Sequence, residues 1–145
     1  MTSSSTNRFA VLGQEQQRGA LGDWLNEFEW DHFVTLTHRF PQQGDREFKA
    51  WVSRLCQRAG RAVQFAVFTE RTPDGHDHHH ALIHGTHALS TDALRQAWRS
   101  GISAAAKYDP KRGASHYVSK HYGKAGLENW NVSHRLPPRR EAEVM

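Results

Sequence analysis

The chain has 145 residues, 37% of them hydrophobic and 23% charged, with a net charge of +4 at pH 7. That length favours one domain with a real core, and no apolar run approaches the length that spans a bilayer. A lone cysteine, Cys56, excludes an internal disulfide and a multi-thiolate zinc site, and the N-terminal residues lack the basic start and apolar block of a secretory signal. A soluble intracellular protein is expected, cytoplasmic if the host is bacterial.

The charge is unevenly placed. Residues 1–100 hold 11 Lys/Arg against 11 Asp/Glu, whereas residues 101–145 hold 8 against 4 and supply the whole excess. A local basic excess suits a phosphate backbone, although a solvated helix face shows the same pattern.

Residues 1–20, rich in Ser, Gln and Gly, are expected to form a mobile arm, with the folded domain at 21–134 and a polar tail at 135–145. "GDWLNEFEW" predicts a short helix after an Asp23 cap, with Trp24, Leu25 and Phe28 at helical spacing. "DHFVTLTHRF" alternates, with Phe33, Thr35 and Thr37 on one side and Val34 and Leu36 on the other, as a strand does. "GDREFKAWVSRLCQRAG" places Phe48, Trp51, Val52, Leu55 and Cys56 on one helical stripe that stops at Gly60. "RAVQFAVFTERT" reads as a buried strand and "TPDGHD" as a turn. The histidine run after it forms the second arm of a hairpin. "STDALRQAWRS" is a capped helix, "ISAAAKYD" a short strand, "PKRGASHYVSKHYGK" a helix from about Gly113 to Tyr122, and "ENWNVSH" an edge strand. The predicted class is α+β: a ferredoxin-like split βαβ antiparallel sheet, β-α-β-β-α-β, with an additional tyrosine-bearing helix. Its helices would cover mainly one face and leave the other free for a site.

"HDHHHALIHG" puts five histidines in ten residues. Alternation sends His76, His78, His80, Leu82 and His84 to one side, and Asp77, His79, Ala81 and Ile83 to the other. If the hairpin folds about Asp74, Glu70 lies opposite His78, and directly opposed residues share a face. Glu70, His78 and His80 could then form a mixed imidazole and carboxylate cluster. Such a set suits a divalent metal, Mn²⁺ or Mg²⁺, that must also bind substrate oxygens. A solvated polar strand face would look the same by spacing alone. His32, His87 and His134 are expected at the surface, Trp51 and Trp98 in the core, and Trp30 and Tyr108 are not assigned.

"FVTLTHR", "HHHALI" and "YVSK", in that order, resemble the HUH single-strand endonucleases, and among them the rolling-circle replication initiator (Rep) proteins of small plasmids and viruses. The resemblance covers about residues 30–125. It implies that His78 and His80 are paired metal ligands, Glu70 a third ligand, Tyr117 the nucleophile and Lys120 its companion, with Thr35 and Thr37 on the neighbouring strand. The middle residue of the pair is usually hydrophobic in that family. His79 stands there instead and leaves His76/His78 as a competing register, against which the "ALI" after His80 argues. Tyr117 and Tyr122 are five residues apart and do not share a helical face, so one tyrosine is favoured.

The implied activity is single-stranded DNA nicking and joining through a 5′-phosphotyrosine, which starts rolling-circle replication. The implied partner is single-stranded DNA at an origin, as a stem-loop, with a monomeric protein that recruits host helicase and polymerase. Lys111, Arg112, Lys124 and Arg39 are the candidate DNA contacts. A transposase or relaxase of the same chemistry, or a non-catalytic metal-containing nucleic-acid-binding module, are the alternatives.

Overall fold

The computed structural model describes residues 14–41, 45–113 and 130–141. In chain order the elements are α1 (Gln14–Leu25), β1 (His32–His38), α2 (Arg46–Ala59), β2 (Gln64–Glu70), β3 (His78–His84), α3 (Thr91–Ala97), β4 (Gly101–Lys107), a single 3₁₀ turn (Pro110–Arg112) and β5 (Trp130–Val132). The strands pair antiparallel in the order β4-β1-β3-β2-β5. β3 lies between β1 and β2, so this is the split βαβ sheet expected from the sequence, extended by β5 at one edge. Among the described residues, no helix is long and apolar enough to cross a membrane.

Each strand buries its odd and even residues in different places, because side chains alternate across a sheet. Val34, Leu36, Val67, Ala81 and Ile83 meet Phe48, Trp51 and Leu55 of α2 and Leu94 and Ala97 of α3. α2 is held there by its apolar stripe and ends at Gly60, whose left-handed backbone (φ 68°) lets its N–H reach the Cys56 carbonyl. α3 starts as expected, with the Ser90 hydroxyl accepting from the Ala93 N–H. The indole of Trp51 is fully buried and donates to the Leu94 carbonyl at 2.9 Å, which ties the two helices together.

The opposite face is not left wholly free. A second apolar cluster of Leu21, Leu25, Phe28, Trp30, Ala66, Phe68 and Leu82 covers one half of it, with Trp24, Phe33 and Tyr108 packed against it. The covering helix starts at Gln14, inside the segment expected to be a mobile arm, and runs through Asp23, which is therefore not its cap. Trp24 and Leu25 fall in this helix while Phe28 lies beyond its end. The Gly- and Gln-rich first turns masked its start, since a helical stripe is visible only at its C-terminal end. Trp30 donates to the Leu25 carbonyl, and the Tyr108 hydroxyl donates to Asn26.

Part of the expected polar tail is also docked. Phe28 and Arg139 form an antiparallel bridge. The Glu29 N–H donates to Pro138 O, the Arg140 N–H donates to Glu27 O, and the Arg139 guanidinium pairs with Glu27 and lies 5.4 Å over the Phe28 ring.

Trp51→Ala removes the largest buried side chain of the main core. It is expected to cost roughly 3–5 kcal/mol of stability by urea denaturation, with the midpoint shifted and the slope unchanged.

Candidate metal and nucleic-acid site

Antiparallel register sets the site row by row. On the half of the sheet face that α1 leaves open, Ile102, Thr37, His78 and Glu70 stand side by side on β4, β1, β3 and β2. The next row is Ala104, Thr35, His80 and Phe68. Glu70 therefore does oppose His78, as the hairpin reading expected. Asp77 closes this hairpin: its buried carboxylate pairs with Arg71 at 2.6 Å and accepts from the Thr72 N–H.

Each histidine is held by the threonine beside it. Thr37 Oγ1 lies 2.9 Å from His78 Nδ1, and Thr35 Oγ1 lies 3.5 Å from His80 Nδ1. With Nδ1 donating to a hydroxyl, Nε2 keeps its lone pair, the arrangement found around metal-bound imidazoles. His80 is buried and its Nε2 sits 3.2 Å from Glu70 Oε1. The two imidazole planes are nearly parallel, with ring centres 6.4 Å apart.

Two ring nitrogens and a carboxylate are the right donors for a divalent ion, but their present arrangement does not converge on one. Among the described residues, no group of three or more His, Cys, Asp or Glu is arranged to hold a metal. Ligand nitrogens lie within about 2.1 Å of an ion, so parallel rings this far apart must tilt towards each other. The Glu70–His80 hydrogen bond marks where that ion would enter.

The other histidines separate from this group. His76 precedes β3, with its Nδ1 3.1 Å from the His38 carbonyl. His84 is buried at the far end of the strand, 3.7 Å from Asp31, and four residues of strand put it about 13 Å from His80. His87 and His134 are exposed as expected. His32 is not: it is 1% exposed, with Nδ1 2.6 Å from the Thr86 hydroxyl, and burial lowers its pKa. Its alternation with Val34 and Leu36, both on the helix-covered face, is the signal for that burial.

Alternation also carries His79 through to the helix-covered face, where it is fully buried against Phe48 and Trp98. Its Nδ1 lies 2.8 Å from Thr69 Oγ1 on β2, and its Nε2 lies 2.8 Å from His38 Nε2 at the end of β1. One imidazole must donate and the other accept, so the pair is stable only while neutral. Burial, reinforced by His38, pushes the His79 pKa down to about 4, and burial also lowers that of His38. Strand alternation puts His79 on this face but gives no sign of its partners, which the register alone supplies.

Of the expected DNA contacts, Arg39, Lys111 and Arg112 are exposed. They are not gathered at the histidines: Arg39 lies at the site end of β1, while Lys111 and Arg112 follow the far end of β4. Arg112 is 3.8 Å from Asp109. Tyr117, Lys120, Tyr122 and Lys124 lie outside the described residues.

The depressed histidines fix the sign of the pH dependence. In the unfolded chain they bind protons near pH 6.5, and in the fold only well below that. Their contribution to stability is complete above about pH 6.5 and is lost as pH falls towards 4. Urea midpoints are expected to drop over this window, and less steeply in His79→Leu; an identical slope in the variant would contradict the assignment.

A family model described as replication-associated protein ORF2 matches residues 31–126, which takes in the whole sheet row described above. No curated protein and no solved structure matches the chain. The match spans 96 of the 145 residues and supports a role in replication initiation: the chain belongs to the replication-associated protein ORF2 family.

Proposed function

We propose that this protein is a metal-dependent DNA nickase and strand transferase of the HUH type, which opens one strand at a replication origin and starts rolling-circle replication. The observation that supports this most is the row of Glu70, His78 and His80 on an open sheet face, each imidazole backed by a threonine, in a chain of a replication-associated family. Glu70, His78 and His80 would hold Mn²⁺ or Mg²⁺. When bound, such an ion draws charge from phosphate oxygens and makes phosphorus more open to attack.

The remaining work falls to side chains. Thr35 and Thr37 fix the ring orientations of His80 and His78. Tyr117 supplies the nucleophilic oxygen, which attacks the scissile phosphorus in line as it loses its proton. The bond to the 3′ oxygen breaks, that oxygen takes up a proton, and a 5′-phosphotyrosine remains. The reverse attack by a 3′-hydroxyl rejoins the strand, so no nucleotide hydrolysis is needed. Lys120, one helical turn after Tyr117 in the expected helix, would offset charge on the phosphate.

Chain connectivity is compatible with this role. Gly113 follows edge strand β4 and Trp130 opens β5 at the other edge. The sixteen residues between them, which include Tyr117 and Lys120, therefore link the two edges of the sheet.

The test is incubation with a single-stranded oligonucleotide carrying the replicon's origin, with Mn²⁺, followed by a denaturing gel. A protein–DNA adduct is expected, lost in Tyr117→Phe and retained in Tyr122→Phe. His80→Ala is expected to slow cleavage on the order of 100-fold. An adduct that survives Tyr117→Phe would move the nucleophile elsewhere. DNA binding with no adduct would favour a non-catalytic binding module.

A further inference from the structure

We propose that the outward face of edge strand β4 is a track for single-stranded nucleic acid, leading unpaired nucleotides to the Glu70–His78–His80 row. This rests on the reading that the row acts on nucleic acid, and adds a binding surface to it.

Among the described residues, β4 is paired only on one side, to β1. Its Ile102, Ala104 and Ala106 project to the same face as the histidines, and all three are exposed, Ile102 at 76%. Register places Ile102 beside Thr37 and Ala104 beside Thr35, the two threonines that hold His78 and His80. Two strand spacings, about 10 Å, separate Ile102 from His78. Phe40, 68% exposed, is one residue past Arg39, whose N–H donates to the Ser100 carbonyl at 2.7 Å beside the start of β4.

Edge strands are ordinarily blunted by charge. Here "GISAAA" has none, and a large aliphatic side chain, Ile102, stands in water near its start. Cations bound the strip instead: Arg39 and Arg99 at one end, and Lys107, Lys111 and Arg112 at the other, all exposed. Asp109 is the only acidic residue between Ala93 and Gly113, and it already accepts from the Lys111 N–H and lies near Arg112.

An apolar floor between cationic ends matches a polymer with flat apolar faces and a negative backbone. A duplex keeps its base faces stacked inside, so unpaired bases are the ones that can lie on Ile102 and the alanines. Edge-to-edge pairing with a second copy would bring two cationic rims together, which Coulomb repulsion opposes.

The experiment is fluorescence anisotropy with a labelled oligo-dT strand, without metal and at low salt. Ile102→Glu is expected to weaken binding about 10-fold or more, and Ile102→Phe to retain it. Gln57→Glu, an exposed change of the same charge on α2, serves as the reference. Equal affinities for Ile102→Glu and Gln57→Glu would overturn the track. So would an Ile102→Glu change that alters sedimentation and leaves affinity intact, since the strip would then join copies of the chain. Adduct formation on the origin strand separates the two readings. An adduct with Ile102-independent binding removes only the track, whereas Ile102-dependent binding without an adduct removes only the nuclease.

Discussion

The buried hydrogen bonds of His79 are the constraint on which the candidate site depends. β3 is the middle strand, paired to β1 on one side and β2 on the other, and His79 grips both neighbours through His38 and Thr69. Because successive residues of a strand face opposite ways, fixing His79 inward fixes His78 and His80 outward. A slip of one residue would bury the proposed ligands and leave His79 in solvent. The same register brings Thr35, Thr37 and Glu70 into line, so one polar contact under the helices sets the geometry on the far side of the sheet.

In the family that this sequence resembles, an apolar residue usually occupies the position of His79. An apolar side chain would settle the inward direction by burial alone. The imidazole does so by burial together with two hydrogen bonds, at the cost of remaining neutral, which explains why burial and the neighbouring His38 depress its pKa. Anchoring on the helix-covered face therefore becomes sensitive to acid, whereas an apolar residue would be indifferent to it.

Much of this is legible in the sequence because period-two alternation is strong in β1 and β3 and the turn at "TPDG" fixes the hairpin register. That is enough to pair Glu70 with His78 and to send His79 the other way. What escapes is set by long-range contact. The first turns of α1 carry no apolar stripe, so only packing on Phe68 and Leu82 reveals why the helix covers half of the supposedly free face. Residues 138–140 read as polar tail because their partners, Glu27 to Glu29, are more than a hundred positions away. His32 reads as a surface group by residue type, although its parity with Val34 and Leu36 points inward; histidine's usual exposure outweighs the pattern. The roles of Tyr117 and Lys120 rest on the motif and lie outside the described residues.

The central claim is that Glu70, His78 and His80 act together as one divalent-ion site, although their rings stand apart in the fold. Calorimetric titration of Mn²⁺ into the intact chain tests it without DNA or turnover. One ion per chain is expected, with affinity reduced at least about 10-fold by either Glu70→Gln or His78→Ala and unchanged by His76→Ala. Equal affinity in all of these proteins, or no binding in the unaltered chain, would contradict the account.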